Sequence, residues 1–287
     1  MSAMKPVIEA SSPSDEERCS SPQWQDCPLV MERMRDFPRL GACPFLKESP
    51  VQYCAAASVP KYLPQAAAPL SPCGDDSHRY CEFFLAPAHP GQRPAVCGIE
   101  AQAADVEGIR IPRRLAFSPN HMWLDVGEGG SCHIGVDDFF ARLVGRVDHV
   151  NCVFTKGICN PTVVFDLGGM DLQMAFPNPL RISRINIRLR THPERLIAEP
   201  YTAGWLFQGS APEGRALEEV REGLYQGEEC TEWMARELRR LEAFLSGCVG
   251  IRGIEPEGLQ GLINRLQRED ALGLIDEFFV LHARRIH

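Results

Sequence analysis

The most constraining feature is a hairpin signal. "PTVVFDL", "GGMD" and "LQMAF" follow one another at residues 161–176, two short apolar stretches with a double glycine at their junction. The same style continues on both sides. "HMWLDV" (121–126) and "SCHIGV" (131–136) alternate apolar and polar residues across the turn "GEGG", and "VDHVNCVF" (147–154) returns to a strand. "RISRINIRLR" (181–190) alternates over what reads as one full strand. "DDFFARLVG" (137–145) reads as a short helix, with Asp137 or Asp138 to cap its start and Gly145 to end it. Residues 105–211 therefore read as a small β unit with one or two short helices.

The flanks differ. Residues 1–35 are rich in Ser, Pro, Asp and Glu and are expected to be disordered. Residues 36–98 form a distinct proline-broken segment, a Cys-rich module, with cysteines at Cys43, Cys54, Cys73 and Cys81. Residues 212–287 become helical, with apolar stripes at Met234, Leu238, Leu241 and Leu245, then at Leu262, Leu266, Leu274, Phe278 and Leu281. This tail is read as a helical appendage with its own core, the alternative being a groove for a partner.

Composition excludes some functions. The net charge is −8, and apart from 181–190 the arginines are scattered among acids, so no nucleic-acid partner is expected. No run of about 18 apolar residues occurs and no secretory h-region opens the chain, so neither a membrane span nor export is expected, and a cytoplasmic location is expected. Lysine occurs four times, at Lys5, Lys47, Lys61 and Lys156; the other 26 of the 30 basic residues are arginine. No GxSxG elbow and no phosphate-binding glycine loop occurs, and an enzyme is not expected.

The cysteines leave three readings open. Four thiolates suit tetrahedral zinc or an iron–sulfur cluster, and a thin segment of this kind often needs a metal to fold. Buried thiols in an ordinary subdomain, or a redox dithiol pair, are the others. Cys152 and Cys159, which bracket "VFTKGI", are read as packing residues in preference to a redox pair. His133, His149 and His192 have no metal-ligand spacing.

Several anchors within 105–211 resemble the H protein of the glycine cleavage system. Phe117, His121 and Trp123 stand where that family opens with an aromatic strand, His-x-Trp. "HIGVDDFFARLVGRVDHV" resembles its central segment, and "HPERLIAEPYTAGWL" (192–206) its ending. The resemblance implies mainly β structure with helices: a barrel-sandwich hybrid of two small antiparallel sheets. It also implies a lipoyl-lysine at a hairpin tip, in a Glu-Ser-x-Lys-Ala setting. Counting back from Asn186 and Pro177, that lysine position falls at about Gly169, in "FDLGGMDLQMAF". Lys156 lies in the preceding loop, more than ten residues out of register. A glycine has no amine to acylate, so no lipoate is expected. His121 and Trp123 are read as structural, a strand-edge hydrogen bond and a core aromatic. The function expected is a non-enzymatic H-protein-like accessory module that works through protein partners, linked to a zinc or iron–sulfur centre if the cysteines hold one. The alternatives are a lipoyl carrier and a redox protein.

Overall fold

The structure, a computed structural model, describes residues 4–8, 48–59, 61–63, 72–74, 76–86, 103–127, 130–153, 157–248 and 256–281. The chain divides into two compact units. One comprises Met1–Ser71 with Pro87–Gln92, the other Pro72–Ala86 with Arg93–His287. The first holds a three-stranded antiparallel sheet of β1 (Met4–Ile8), β2 (Glu48–Cys54) and β3 (Lys61–Leu63), with β2 central. Most of the lead-in expected to be disordered lies outside the described residues; Met4–Ile8, which pairs with β2, is the part inside.

The second unit is mainly β with helices. Its strands are β4 (Ala103–Val106), β5 (Ile109–Pro112), β6 (Ala116–Phe117), β7 (Met122–Val126), β8 (Ser131–Val136), β9 (His149–Val153), β10 (Ile158–Cys159), β11 (Thr162–Asp166), β12 (Asp171–Ala175), β13 (Leu180–Ile185) and β14 (Phe207–Ser210). Six form one sheet in the order β10-β13-β14-β8-β7-β6, and three form another, β12-β11-β9; β4 and β5 make a separate hairpin. Neither larger sheet closes on itself. The helices are α1 (Glu82–Leu85), α2 (Asp138–Val144), α3 (Glu194–Ala198), α4 (Leu217–Val220), α5 (Glu229–Cys248) and α6 (Arg268–Phe279).

The local chemistry explains the elements. Asp137 caps α2 by accepting a hydrogen bond from the Phe140 amide at 2.9 Å, and Gly145 ends the helix in the left-handed region at φ 67°. In β11 and β12 alternate residues are buried, Val163 and Phe165 against Leu172 and Met174, so this sheet covers the core with one face. β7 and β8 are buried on both faces.

The strand expected over 181–190 stops at Ile185 and gives way to a 3-10 turn at Ile187–Arg190. Asn186 is the reason. Its buried amide donates to the carbonyls of Ala203 (2.9 Å) and Trp205 (2.8 Å), and its oxygen accepts from the Arg188 amide. A side chain anchored this way turns the backbone out of the ladder.

The tail also differs from the expected appendage. Met234, Leu238, Leu241 and Leu245 of α5, with Leu274 and Phe278 of α6, are buried in the same core as the strands. Phe140 of α2 meets Phe165 of β11 at 5.0 Å and Phe279 of α6 at 5.1 Å. Trp233 lies 5.9 Å from Phe117 and stacks on Tyr225 at 4.9 Å. Burial of one such ring contributes about 2–3 kcal/mol, so these helices belong to the β unit's own core. Hydrogen bonds reinforce the join: carbonyls at the end of α2 are met by Gly261 N on Arg142 O (2.7 Å) and by Asn264 Nδ2 on Val144 O (2.8 Å). Asn264→Ala should lower the stability of the whole unit by about 1 kcal/mol, read as a shift of a single urea transition.

The segment Pro72–Ala86 is a further departure. The sequence pattern places it in one Cys-rich module over 36–98, yet it belongs to the second unit, where Tyr80 is buried in the core.

Candidate functional site

Three places in the second unit carry functional side chains or the positions where the sequence leads one to look for them.

The first is the hairpin between β11 and β12. Leu167 N donates to Met170 O at 2.9 Å and encloses a two-residue tip, Gly168-Gly169. Both have positive φ, +68° and +82°, as a type I′ turn demands. Asp166 Oδ1 accepts from Gly169 N at 2.8 Å and fixes the turn. The tip is exposed, and a Cβ at either glycine would meet nothing within 4 Å. The turn presents backbone to solvent, with no ionisable group at positions 168–169. Lys156 lies outside the described residues.

The second is the start of β7. His121 and Asp137 are both fully buried, and His121 Nδ1 lies 2.8 Å from Asp137 Oδ2. Glu237 Oε2 of α5 stands 3.7 Å from Nε2, an ion-pair distance beyond hydrogen-bond reach. The ring stacks on Phe139 at 4.2 Å. Burial alone would lower the His121 pKa; the charge and hydrogen bond of Asp137, then Glu237, outweigh it and carry it to about 9. Arg240 pairs with Glu237 and Glu277 and lies over the Phe278 ring at 4.9 Å. His121 is thus a buried imidazolium that joins the β core to the helices, where the sequence suggested a strand-edge hydrogen bond. Trp123 is the core aromatic expected: its Nε1 donates to Val136 O (2.8 Å) and Pro200 O (3.2 Å).

The third is the face of β7 and β8 beneath Pro72–Ala86. Asp125 and His133 are cross-strand partners, each 3 % exposed. Asp125 accepts from the Tyr80 hydroxyl and from Arg114 Nε, both at 2.8 Å. The Tyr80 ring lies flat on His133, with centroids 4.0 Å apart and an interplanar angle of 17°. Burial, helped by Arg184, pushes His133 down to about 3 and keeps it neutral. Burial and then Asp125 push the Tyr80 hydroxyl well above its ordinary value, so it stays a donor. Nothing in the local sequence pattern singles out Tyr80, Asp125 or Glu237. Glu237 left one trace, a carboxylate beside the apolar stripe of α5.

Cys43 lies outside the described residues. Cys54 ends β2 in the first unit; Cys73, in a 3-10 turn, and Cys81, which precedes α1, belong to the second. Among the described residues no three His, Cys, Asp or Glu side chains converge as metal ligands. Burial pushes Cys132 up to about 11, and Cys152 and Cys230 up to about 12. These are protonated thiols at neutral pH, poor nucleophiles suited to packing.

No family model matches the chain. It is 27 % identical over 101 residues to a glycine cleavage system H protein of Hydrogenovibrio crunogenus, a match covering 34 % of this chain and 78 % of that protein. It is 26 % identical over 113 residues to the H protein of Salmonella typhimurium, covering 38 % and 88 %. These relatives support an H-protein-like domain. A crystal structure of a Mycobacterium marinum H protein aligns with 44 % of this chain and 98 % of its own, at 18 % identity and a TM-score of 0.33. Most of the chain outside the H-protein-like domain has no counterpart in the relatives. Among the described residues, no helix is long and apolar enough to cross a membrane.

Proposed function

We propose that this chain is a non-enzymatic H-protein-like protein that carries no lipoyl arm and works through protein contacts. Its six- and three-stranded sheets are read as the two halves of a barrel-sandwich hybrid. The hairpin β11–β12 is read as the counterpart of the family's lipoyl hairpin, and Gly169 as the lysine's position. One observation carries the proposal: the exposed tip is Gly168-Gly169. Lipoate is held by an amide to a lysine amine, and backbone at a type I′ turn has none to give. Among the described residues, buried His121 is held by Asp137, buried Asp125 by Tyr80 and Arg114, and the thiols with shifted pKa values are protonated; none of these is arranged as a nucleophile with its base.

Intact mass of the chain purified from its source cells tests this. The expected result is the unmodified mass. A lipoyl increment on any lysine, Lys156 included, would falsify the proposal and restore a carrier role. The metal reading rests on the spacing of Cys43, Cys54, Cys73 and Cys81 and is separate. Zinc and iron analysis with a visible spectrum on anaerobically purified chain decides it, and colourless, metal-free, folded protein removes it.

A further inference from the structure

The chain is acidic at −8, yet from Leu172 to Pro193 it has no Asp or Glu and carries Arg181, Arg184, Arg188 and Arg190. All four arginines are exposed, on β13 and on the 3-10 turn Ile187–Arg190 that follows it. The chain's own carboxylates reach two of them: Glu213 pairs with Arg181 at 3.1 Å, and Glu82 pairs with Arg188. Among the described residues no carboxylate pairs with Arg184 or Arg190; Arg184 Nη1 reaches the side-chain oxygen of Gln208 at 3.4 Å. Glu194, the acid that ends the run, is turned to His192 at 3.0 Å.

An apolar side chain stands among these charges. Ile187 is 65 % exposed. Single exposed aliphatics are common on protein surfaces, but this one is held out by a buried anchor. The Asn186 amide bonds to the carbonyls of Ala203 and Trp205 and takes the backbone out of the ladder just before it. In a 3-10 turn, side chains three apart lie on one side. Ile187 and Arg190 therefore face solvent together, while Leu189 between them is fully buried and pins the turn to the core. Guanidinium forks take carboxylates through paired hydrogen bonds, and arginine beside an apolar contact is the composition of a protein interface. The run 181–190 has no aromatic side chain on which a base could stack, and a chain at −8 repels a long polyanion. Both points favour a short acidic segment over nucleic acid. We infer that Arg184, Ile187 and Arg190 form a docking site for an acidic segment of a partner protein, one that sets an apolar side chain between carboxylates. The carboxylates meet Arg184 and Arg190, and the apolar side chain covers Ile187. This names a partner class for the contact module proposed above and rests on that reading.

Fluorescence anisotropy on the full chain tests this, with the fluorescein-labelled peptide Gly-Glu-Asp-Leu-Glu-Asp-Gly as the probe at low salt. The peptide should bind saturably below about 1 mM. Arg184→Gln combined with Arg190→Gln should weaken binding at least ten-fold, and Ile187→Ser at least three-fold. Arg236→Gln, at an exposed arginine of α5, should change nothing. The same peptide with Ser in place of Leu should lose at least three-fold on wild type and nothing further on Ile187→Ser. The substituted side chains are exposed, so the variants should keep the wild-type urea midpoint. If one does not, the comparison of the Leu and Ser peptides on wild type decides alone. No saturable binding, an equal loss for Arg236→Gln, or equal binding of the Leu and Ser peptides would overturn the site. So would single-stranded DNA or phosphatidylserine vesicles that bind as tightly as the peptide. Failure here leaves the bare hairpin tip untouched, because intact mass decides that separately.

Discussion

Alanine at position 135 should lower the thermal midpoint of the second unit by about 6–12 °C, a loss of about 3 kcal/mol. A Cβ on Gly135 would fall 2.5 Å from Trp123 Cζ2, 2.6 Å from Cε2 and 2.8 Å from Nε1, well inside van der Waals contact. The indole has nowhere to go. It is fully buried, and its Nε1 is spent on the carbonyls of Val136 and Pro200. Moving the ring would strand those acceptors, and moving β8 would break its pairing with β7 and β14. Calorimetry on the purified variant checks the figure. A midpoint within 2 °C of wild type would show that the indole is less tightly held than these contacts imply.

The second large effect is a loss of stability in alkali. The His121 pKa lies at about 9 in the folded chain, against 6.5 for an unperturbed histidine. A proton held more tightly in the folded state stabilises that state. The contribution is fully present below about pH 6.5 and disappears as pH rises through about 9, a change of about 3 kcal/mol. Urea unfolding at pH 6.5 and pH 9.5 should show it. His121→Asn is the control, because Asn tolerates the left-handed backbone that His121 adopts at φ 64°. The variant's loss between the two pH values should be smaller than wild type's by about 3 kcal/mol. Identical profiles would mean that Asp137 and Glu237 do not hold a charged ring. His133 works on the acid side with the opposite sign. Its folded pKa of about 3 means the unfolded chain takes the proton first, so stability falls as pH drops from about 6.5.

The local elements were legible because their signals are local. The cap at Asp137, the stop at Gly145 and the Gly168-Gly169 turn each depend on a few consecutive residues whose backbone preferences leave little choice. The apolar stripe of α5 was equally plain. The early end of the strand expected over 181–190 has no local signal, because Asn186 looks like any polar residue in an alternating run. What ends the strand is its bonding to Ala203 and Trp205, some twenty residues on. The charged cluster was hidden for the same reason: His121, Asp137, Glu237 and Arg240 span 120 positions and meet only when α5 packs on β7.

The order of amino acids alone settled that positions 161–176 would double back on two glycines and that no amine would stand at their tip. Periodicity and turn chemistry act between neighbours, and no later folding event can add a lysine. Which face the helices would cover, that Tyr80 would lie on His133, and that a buried histidine would stay charged were decided by the assembled fold. Burial and pairing are properties of what surrounds a side chain, and those surroundings exist only after distant parts of the chain have met.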